Sequence, residues 1–429
     1  MVSFRNKFIA FIEKYLVYIL IGFGILSLLP YVTVFKGLES NNTAGIVYRG
    51  ILTGLLVILF LIGLICYKKL PNKLVLIGCL IYLISQFVTI FASPLIKEVE
   101  IPSIQTFVGI SMIFTNIISL FIALYMIKYH NLDHEALNIV CYFLIGIGVA
   151  ACLYTYIFQY KEIGSVLTNE HGWNFQVTSI FTTKGIYGFV LLISSIFTVI
   201  LALNTRKYWL YAFPVFFLFN TFLCRAKAEI LCITIILIFA FVYHLIHSWN
   251  KHKKAWTIAI SVCAGLVLIF SLLIFVPGLQ FGPFKTLNHY FTKTIFNDGI
   301  TVTKDRIYKV GNIFKAVDYP LGVMFGCGER ITNYIIAPAG AEVRGDCQYA
   351  ANYATGGIIK SALYFAFAIY AIYKIAKTKG EYKSFSILFI VIILLTGLFD
   401  DNSILGINLC FFLTAPFIYS FPFKKEEIK

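Results

Sequence analysis

Runs of about 20 apolar residues recur along this 429-residue chain, and they restrict it to one class of fold. Apolar residues make up 59% of the sequence and charged residues only 13%, roughly half of the ~25% typical of soluble domains. Inside a bilayer the backbone N–H and C=O groups have no water to bind, so such runs cross it as helices. The sequence therefore predicts an all-α polytopic integral membrane protein.

The hydropathy pattern predicts about twelve transmembrane helices, connected mostly by short polar turns. The first span has no small-residue cleavage site behind it, so we expect it to be retained as an anchor. Spans 1–9 fall within residues 1–276, a long loop follows at 277–356, and spans 10–12 with a tail occupy 357–429. The predicted spans are residues 15–35, 46–67, 74–92, 104–127, 137–159, 185–203, 208–223, 229–247, 256–276, 357–375, 385–399 and 404–421.

Basic residues are concentrated on one side of the predicted membrane, and they fix its orientation. With the N-terminus in the cytoplasm, most Lys and Arg residues outside the long loop lie on the cytoplasmic side, whereas most acidic residues lie on the outer side. The net charge of +15 therefore reflects orientation rather than a nucleic-acid partner. We expect cytoplasmic termini and an outward-facing long loop. The cytoplasmic basic clusters include Lys68, Lys69, Lys73, Arg206, Lys207, Lys251, Lys253, Lys254, Lys374, Lys377, Lys379 and Lys383.

The long loop is rich in Phe, Tyr, Ile and Gly, so we expect it to fold. Apolar side chains at helical spacing predict an amphipathic helix over residues 303–318 that ends before Pro320. The Gly-rich stretch 321–329 permits close approach of the backbone. Cys327 and Cys347 lie in this loop, where either a disulfide or two free thiols fits the pattern. The cysteines form no CxxC pair and no cluster with histidine, so they predict no metal site. We also expect no cofactor.

Ionisable residues at the outer ends of the spans are the candidate functional groups. Arg225 lies between spans 7 and 8, in the sequence FLCRAKAEIL, where it either caps a tight turn or extends its charge to the membrane surface (snorkels), or else binds an anion. Arg306 is either an exposed cation of the loop helix or a second anion-binding residue. Lys227 and Glu229 are two residues apart, and we expect them to pair with each other.

Two outward-facing arginines above a membrane bundle suit a particular chemistry. A guanidinium binds phosphate oxygens through two parallel hydrogen bonds and keeps its charge in a poorly solvated site. Arg225 and Arg306 can therefore hold a lipid diphosphate, and Asp346 can take the proton of an attacking hydroxyl. Asp400 and Asp401 fit either an ordinary turn or an acidic metal-binding pair. The residues alone predict an outward-facing site for an anionic lipid head group.

Four stretches of the chain resemble the bacterial O-antigen polymerase (Wzy) and O-antigen ligase family. LCRAKAEIL is similar to the family's Ser-Arg-x-x-x-(Ile/Leu)-(Ile/Leu) signature, and DCQYAANYATGGIIK is similar to its His/Asp-Asn-x-Tyr segment. The span number, the cytoplasmic termini and the long loop between spans 9 and 10 also agree with the family, which implies a GT-C-like fold. The four stretches are FTTKGIYGF (181–189), LCRAKAEIL (223–231), DRIYKVGNIFKAVDYPLGVMFGCG (305–328) and DCQYAANYATGGIIK (346–360).

The resemblance implies roles for individual residues. Arg225 and Arg306 fall on the arginines that engage the donor diphosphate. Asp346 falls where the ligase carries its histidine, and this departure favours the polymerase. Lys184 stands with Gly185 where the family often has asparagine. The further substrate-binding positions that the resemblance implies are Lys184, Tyr308, Lys309, Tyr349 and Asp400.

The resemblance predicts an integral membrane glycosyltransferase of the bacterial inner membrane, with its active site facing the periplasm. It would join undecaprenyl-diphosphate-linked oligosaccharides, with no metal and no nucleotide sugar, in contact with membrane lipid and with a chain-length regulator protein as a further partner. One alternative is the ligase, which transfers the glycan to lipid A-core. Another, from a different class, is a flippase or transporter for lipid-linked oligosaccharides.

Overall fold

The computed structural model of the protein is mostly helical, and its described residues contain no β-strand. They divide into two compact units, one comprising residues 1–143 and 308–429 and the other residues 144–307. The described residues are 43–67, 73–103, 105–111, 113–114, 134–168, 177–181, 183–276, 310–315, 317–328, 332–336, 347–378, 380 and 382–399, with isolated positions at 6–7, 32, 34, 278, 288, 307–308 and 418.

Four helices within these residues are long and apolar enough to cross a membrane: Leu137–Phe158, Lys184–Thr205, Lys227–Trp249 and Tyr349–Ala376. Leu80–Ile96, Tyr208–Cys224 and Lys383–Gly397 are shorter apolar helices. The prediction of an all-α membrane protein is therefore supported. Nearly all of predicted spans 1 and 12 and most of span 4 lie outside the described residues, so the count of twelve and the orientation stay predictions.

The first unit contains α1 (Thr43–Tyr67), α2 (Lys73–Ile96) and, from residue 308 onward, four more helices. These are α8 (Pro320–Phe325), α9 (Thr332–Ile336), α10 (Gln348–Ala376) and α11 (Lys383–Phe399). Helix α10 packs against α2, α8 and α11, so it is the central helix of this unit.

The second unit is built around one helix that is buried on every side. It contains the end of α3 (His134–Phe158), α4 (Tyr160–Thr168), α5 (Lys184–Thr205), a 3-10 turn (Tyr208–Tyr211), α6 (Ala212–Cys224) and α7 (Lys227–Phe275). All residues of α5 from Ile186 to Leu203 are buried. Helices α6 and α7 pack against α5 and against each other.

Short turns make α5, α6 and the start of α7 antiparallel. The backbone at Arg206 is left-handed (φ 56°), which ends α5, and the chain returns through the 3-10 turn into α6. A second left-handed residue, Arg225, ends α6 and leads into α7. Because each helix reverses direction, the start of α5, the end of α6 and the start of α7 lie at the same end of the bundle.

The predicted turn between spans 8 and 9 was wrong. Residues 248–255 are helical and join the two predicted spans into the single 49-residue helix α7. The sequence SWNKHKKA is polar, which suggested a loop, but it has neither glycine nor proline to interrupt helical hydrogen bonding. Polarity alone therefore did not end the helix.

The predicted start of span 10 at residue 357 marks a break in α10 rather than its first residue. Helix α10 begins at Gln348, inside the predicted loop, and Gly357 interrupts it with non-helical angles (φ 61°, ψ −156°). Pro320 is the first residue of α8, so the Gly-rich stretch 321–329 begins as a helix and not as a loop. In the predicted amphipathic helix, residues 307–308 and 310–315 are helical, with Ile313 buried and Ile307 exposed.

Candidate functional site

The second unit brings two of the predicted site residues, Lys184 and Arg225, to the same end of its bundle. Tyr308 and Tyr349 belong to the first unit. The other predicted site residues, Arg306, Lys309, Asp346 and Asp400, lie outside the described residues, as does Asp401.

Arg225 occupies the left-handed position of a Schellman turn at the end of α6. Its N–H donates to the carbonyl of Phe222 at 3.1 Å, and the N–H of Ala226 donates to the carbonyl of Thr221 at 3.2 Å. Glycine is the usual residue at this position, and a side chain there costs roughly 1–3 kcal/mol. The turn therefore accounts for the backbone conformation of Arg225 but does not select an arginine.

The side chain of Arg225 is also buried, with only 5% of its surface exposed. Burial lowers the pKa of its guanidinium, which nevertheless stays charged at physiological pH. The interpretation of Arg225 as the cap of a tight turn is therefore correct for its backbone conformation. A snorkelling side chain would be solvent-exposed, and this one is not.

Gly188 of α5 lets the turn after Arg225 approach α5 closely. A methyl group added at Gly188 would collide with the side chain of Ala226 and lie 3.4 Å from Cγ and Cδ of Glu229. Lys184 is one helical turn before Gly188 and so shares its face of α5. Lys184 and Glu229 both lie near enough to Cys224 to act electrostatically on its thiol. Lys184, Arg225 and Glu229 therefore form one group at this end, called the Arg225 cluster below.

Glu229 is a candidate functional residue that sequence reasoning underrated. It is 1% exposed in the first turn of α7, whereas Lys227 is exposed, so the two residues have different environments. A carboxylate is favoured there because it faces the positive end of the helix dipole. Glu229 shares a helical face with Cys232, Ile233 and Ile236, which are all buried, but the neighbouring faces of this helix are apolar too, so its burial has no clear signal in the sequence.

Hydrogen bonds fix the start of α5 beneath the cluster. Thr183 caps the helix, since its Oγ1 accepts from the N–H of Ile186 at 3.4 Å. The hydroxyl of Tyr187 donates to Oδ1 of Asn220 on α6 and accepts from the hydroxyl of Thr155 on α3, both at 3.3 Å. The predicted motif FTTKGIYGF therefore positions the helices as well as supplying Lys184.

The opposite end of α5 has the features of a membrane interface. Arg206, Lys207, Tyr208 and Trp209 are consecutive and all exposed. Basic and aromatic side chains of this kind are enriched at the boundary between lipid and water. The 22 residues of α5 span about 33 Å, close to the ~30 Å hydrocarbon thickness of a bilayer. The Arg225 cluster is therefore one membrane thickness away from this end.

The predicted site residues of the first unit have different environments. Tyr308 is exposed, and Tyr349 donates its hydroxyl to the carbonyl of Leu394 at 2.5 Å while its ring stacks on Phe365. Cys327 and Cys347, for which a disulfide was one option, both have free thiols. The hydroxyl of Tyr349 therefore connects α10 to α11 through a hydrogen bond.

The fold and these features define a helical membrane protein with an ionic cluster at the ends of its helices, in which Arg225 and Glu229 are buried and Lys184 is exposed. Two cations and one carboxylate give the Arg225 cluster a net positive charge, which suits an anionic group. Comparison of the chain with protein-family models, with curated proteins and with solved structures gave no match.

Proposed function

We propose that this protein is a membrane glycosyltransferase that polymerises polysaccharide repeat units carried on undecaprenyl diphosphate, at the outer face of the bacterial inner membrane. The observation that carries the proposal is the buried Arg225, kept in a backbone conformation that glycine would adopt at lower cost. Arg206 has the same backbone conformation but is exposed, so the burial of the charged side chain is what distinguishes Arg225 and supports a role for it.

The position of the Arg225 cluster supports a lipid-linked substrate. The cluster lies at the end of α5, about one bilayer thickness from the exposed residues Arg206 to Trp209. The phosphates of a polyprenyl diphosphate occupy this depth, because its hydrocarbon chain stays in the bilayer. Arg225 would bind phosphate oxygens through two hydrogen bonds, and Lys184 would add a second positive charge.

In the proposed reaction, a hydroxyl at the non-reducing end of one lipid-linked repeat unit attacks the anomeric carbon of the donor glycan. The bond between this carbon and the diphosphate oxygen breaks, and undecaprenyl diphosphate leaves with the electron pair. Arg225 and Arg306 would stabilise the charge of the leaving group. Asp346 would orient the acceptor hydroxyl or accept its proton.

A ligase would use the same chemistry with lipid A-core as acceptor. Asp346 stands where that enzyme carries a histidine, so the polymerase stays the preferred proposal. The resemblance in motifs is the basis of this preference.

A flippase or transporter for lipid-linked oligosaccharides is the second candidate, and one observation favours it. Helix α10 is broken at Gly357, and Lys360 is buried three residues later, with 9% exposure. Broken membrane helices with polar residues at the break are typical of transporters. The Arg225 cluster favours the enzyme, since it lies at the helix ends rather than at mid-depth.

Deletion of the gene in its bacterial host separates these candidates. If the protein is a polymerase, the deletion strain should carry glycans that stop at one repeat unit. If it is a ligase, the strain should have uncapped lipid A-core, and if it is a flippase, lipid-linked repeat units should accumulate in the cytoplasm. The deletion strain is then complemented with the wild-type chain, Arg225→Ala or Arg206→Ala, at matched membrane levels. We expect Arg225→Ala alone to lose the long-chain ladder on a gel. A normal ladder from Arg225→Ala would refute the proposed site.

A further inference from the structure

Residues 320–328 of the first unit run alongside α2 into the bundle. The hydroxyl of Tyr319 donates to Oγ of Ser93 at 3.0 Å, near the end of α2. Six residues later, the carbonyl of Phe325 accepts from Nε2 of Gln86 at 2.9 Å. Gln86 is seven residues, or about 10 Å, further into α2 than Ser93. Residues 320–328 are called the re-entrant segment below.

The tip of the re-entrant segment binds the backbone of α10 next to its break. The N–H of Cys327 donates to the carbonyl of Ala354 at 2.8 Å, and the N–H of Gly328 donates to the carbonyl of Thr355 at 2.9 Å. Irregular backbone inside a membrane bundle needs partners within the protein, and this pairing supplies them.

Two glycines, one in the segment and one in α10, make the contact possible. The backbone of α10 occupies the space where a side chain at Gly326 would lie, and the backbone of the segment does the same at Gly357. A Cβ atom at Gly357 would collide with the backbone of Met324 and Phe325, and one at Gly326 would collide with Thr355 and Gly356. Both glycines have positive φ, 74° at Gly326 and 61° at Gly357. Any side chain at either position would push the re-entrant segment away from α10.

Polar side chains surround the break. The ammonium of Lys360 donates to Oγ1 of Thr355 at 2.8 Å, beside the carbonyl that binds Gly328. Gln86 is fully buried, and its Oε1 has no hydrogen-bond partner among the residues that the structure describes.

We propose that the re-entrant segment is a gate, which in its docked position covers the break in α10 and in its withdrawn position gives access to Lys360 and to the backbone of residues 354–357. Helix α8 has only six residues. Gly322 lies inside it, and Gly326 and Gly328 follow it. Gly357 can also adopt ordinary helical angles without a steric clash, so α10 can straighten when the segment leaves. The gate does not depend on the proposed function.

The thiol of Cys327 reports on the gate because it lies at the tip and is fully buried when docked. The full-length protein in membranes is treated with N-ethylmaleimide, and labelling at each cysteine is followed over time by mass spectrometry. Cys347, which is partly exposed, serves as the reactive reference, and Cys141, which is buried in the first unit, reports unfolding. The variant Gly357→Ala prevents docking and should label at Cys327 at least tenfold faster than wild type, with Cys141 unchanged.

Gly54→Ala is the matched control, since a Cβ at Gly54 in α1 meets no atom within 4 Å. It should label at Cys327 like the wild type. Gln86→Leu removes one bond to the segment without adding atoms at the break, and it should also accelerate Cys327 labelling. The proposal is wrong if Cys327 labels at the wild-type rate in both Gly357→Ala and Gln86→Leu. It is equally wrong if Cys141 labels in parallel with Cys327 in Gln86→Leu, because the change would then be general unfolding.

Discussion

Arg206 and Arg225 adopt the same left-handed backbone conformation, with φ 56° in both, but Arg206 is exposed and Arg225 is buried. Each ends a helix of the second unit, one at each end of the bundle. The pair separates two effects that one substitution would mix. Substitution of Arg206 changes only the turn, whereas substitution of Arg225 changes both the turn and a buried charge.

Glycine at both positions tests this separation. Arg206→Gly should raise the unfolding free energy by up to about 1 kcal/mol, because glycine adopts this conformation without the penalty of a side chain, and the glycan ladder should stay normal. In Arg225→Gly the backbone change should stabilise the fold by the same amount. The substitution should nevertheless abolish the ladder, because it removes the guanidinium. Thermal unfolding in detergent and the ladder are measured on the same preparations. A normal ladder from Arg225→Gly would show that Arg225 is only a turn residue.

Glu229→Gln tests whether the buried carboxylate belongs to the Arg225 cluster. Loss of its charge leaves the cations Lys184 and Arg225 at one end of the bundle, so we expect destabilisation by roughly 1–3 kcal/mol and a shortened glycan ladder. The exposed neighbour provides the control: Lys227→Ala should change stability by less than about 0.5 kcal/mol. Equal effects of the two substitutions would favour the pairing of Glu229 with Lys227, which the sequence spacing predicts and which stays a prediction.

Lys251→Pro tests the continuity of α7. Proline inside a helix removes a hydrogen bond and collides with the preceding turn, at a cost of about 3 kcal/mol. We therefore expect a clear loss of thermal stability, whereas Lys251→Ala should behave like the wild type. If proline at this position is tolerated as well as alanine, residues 248–255 form the turn that their polarity first predicted.

Much of the fold could be predicted from the sequence because a membrane span needs only length and hydropathy. Helix α5 begins and ends within two residues of its predicted span, at Lys184 and Thr205. The continuity of α7 could not be predicted, because a polar run contains no signal that distinguishes a loop from an exposed part of a helix. In the bundle, Arg225 was identified from its charge, since charge is rare in such a chain, whereas Lys184 was identified from the resemblance of FTTKGIYGF to the polymerase and ligase family.

The roles of the glycines and the burial of Glu229 depend on tertiary contacts that no local pattern contains. Gly188, Gly326 and Gly357 look alike in the sequence, but each permits a different close approach. Glu229 lies in a helix that is apolar almost all round, so periodicity gave no strong indication of its buried face. Antiparallel packing of α5 and α6, which brings Lys184 near Cys224, supplies the missing information.

The contact between Gly326 and Gly357 also predicts how mutations here combine. At most positions a substitution that introduces a clash can be offset by a smaller side chain at the residue it contacts. In the same way, another donor and acceptor pair could replace the hydrogen bond between Lys360 and Thr355. At these two glycines the opposing atoms belong to the main chain, which no second substitution can make smaller. A search for suppressors should therefore recover revertants at both glycines and second-site changes at Lys360, so genetic interaction data alone would distinguish a backbone contact from a side-chain contact.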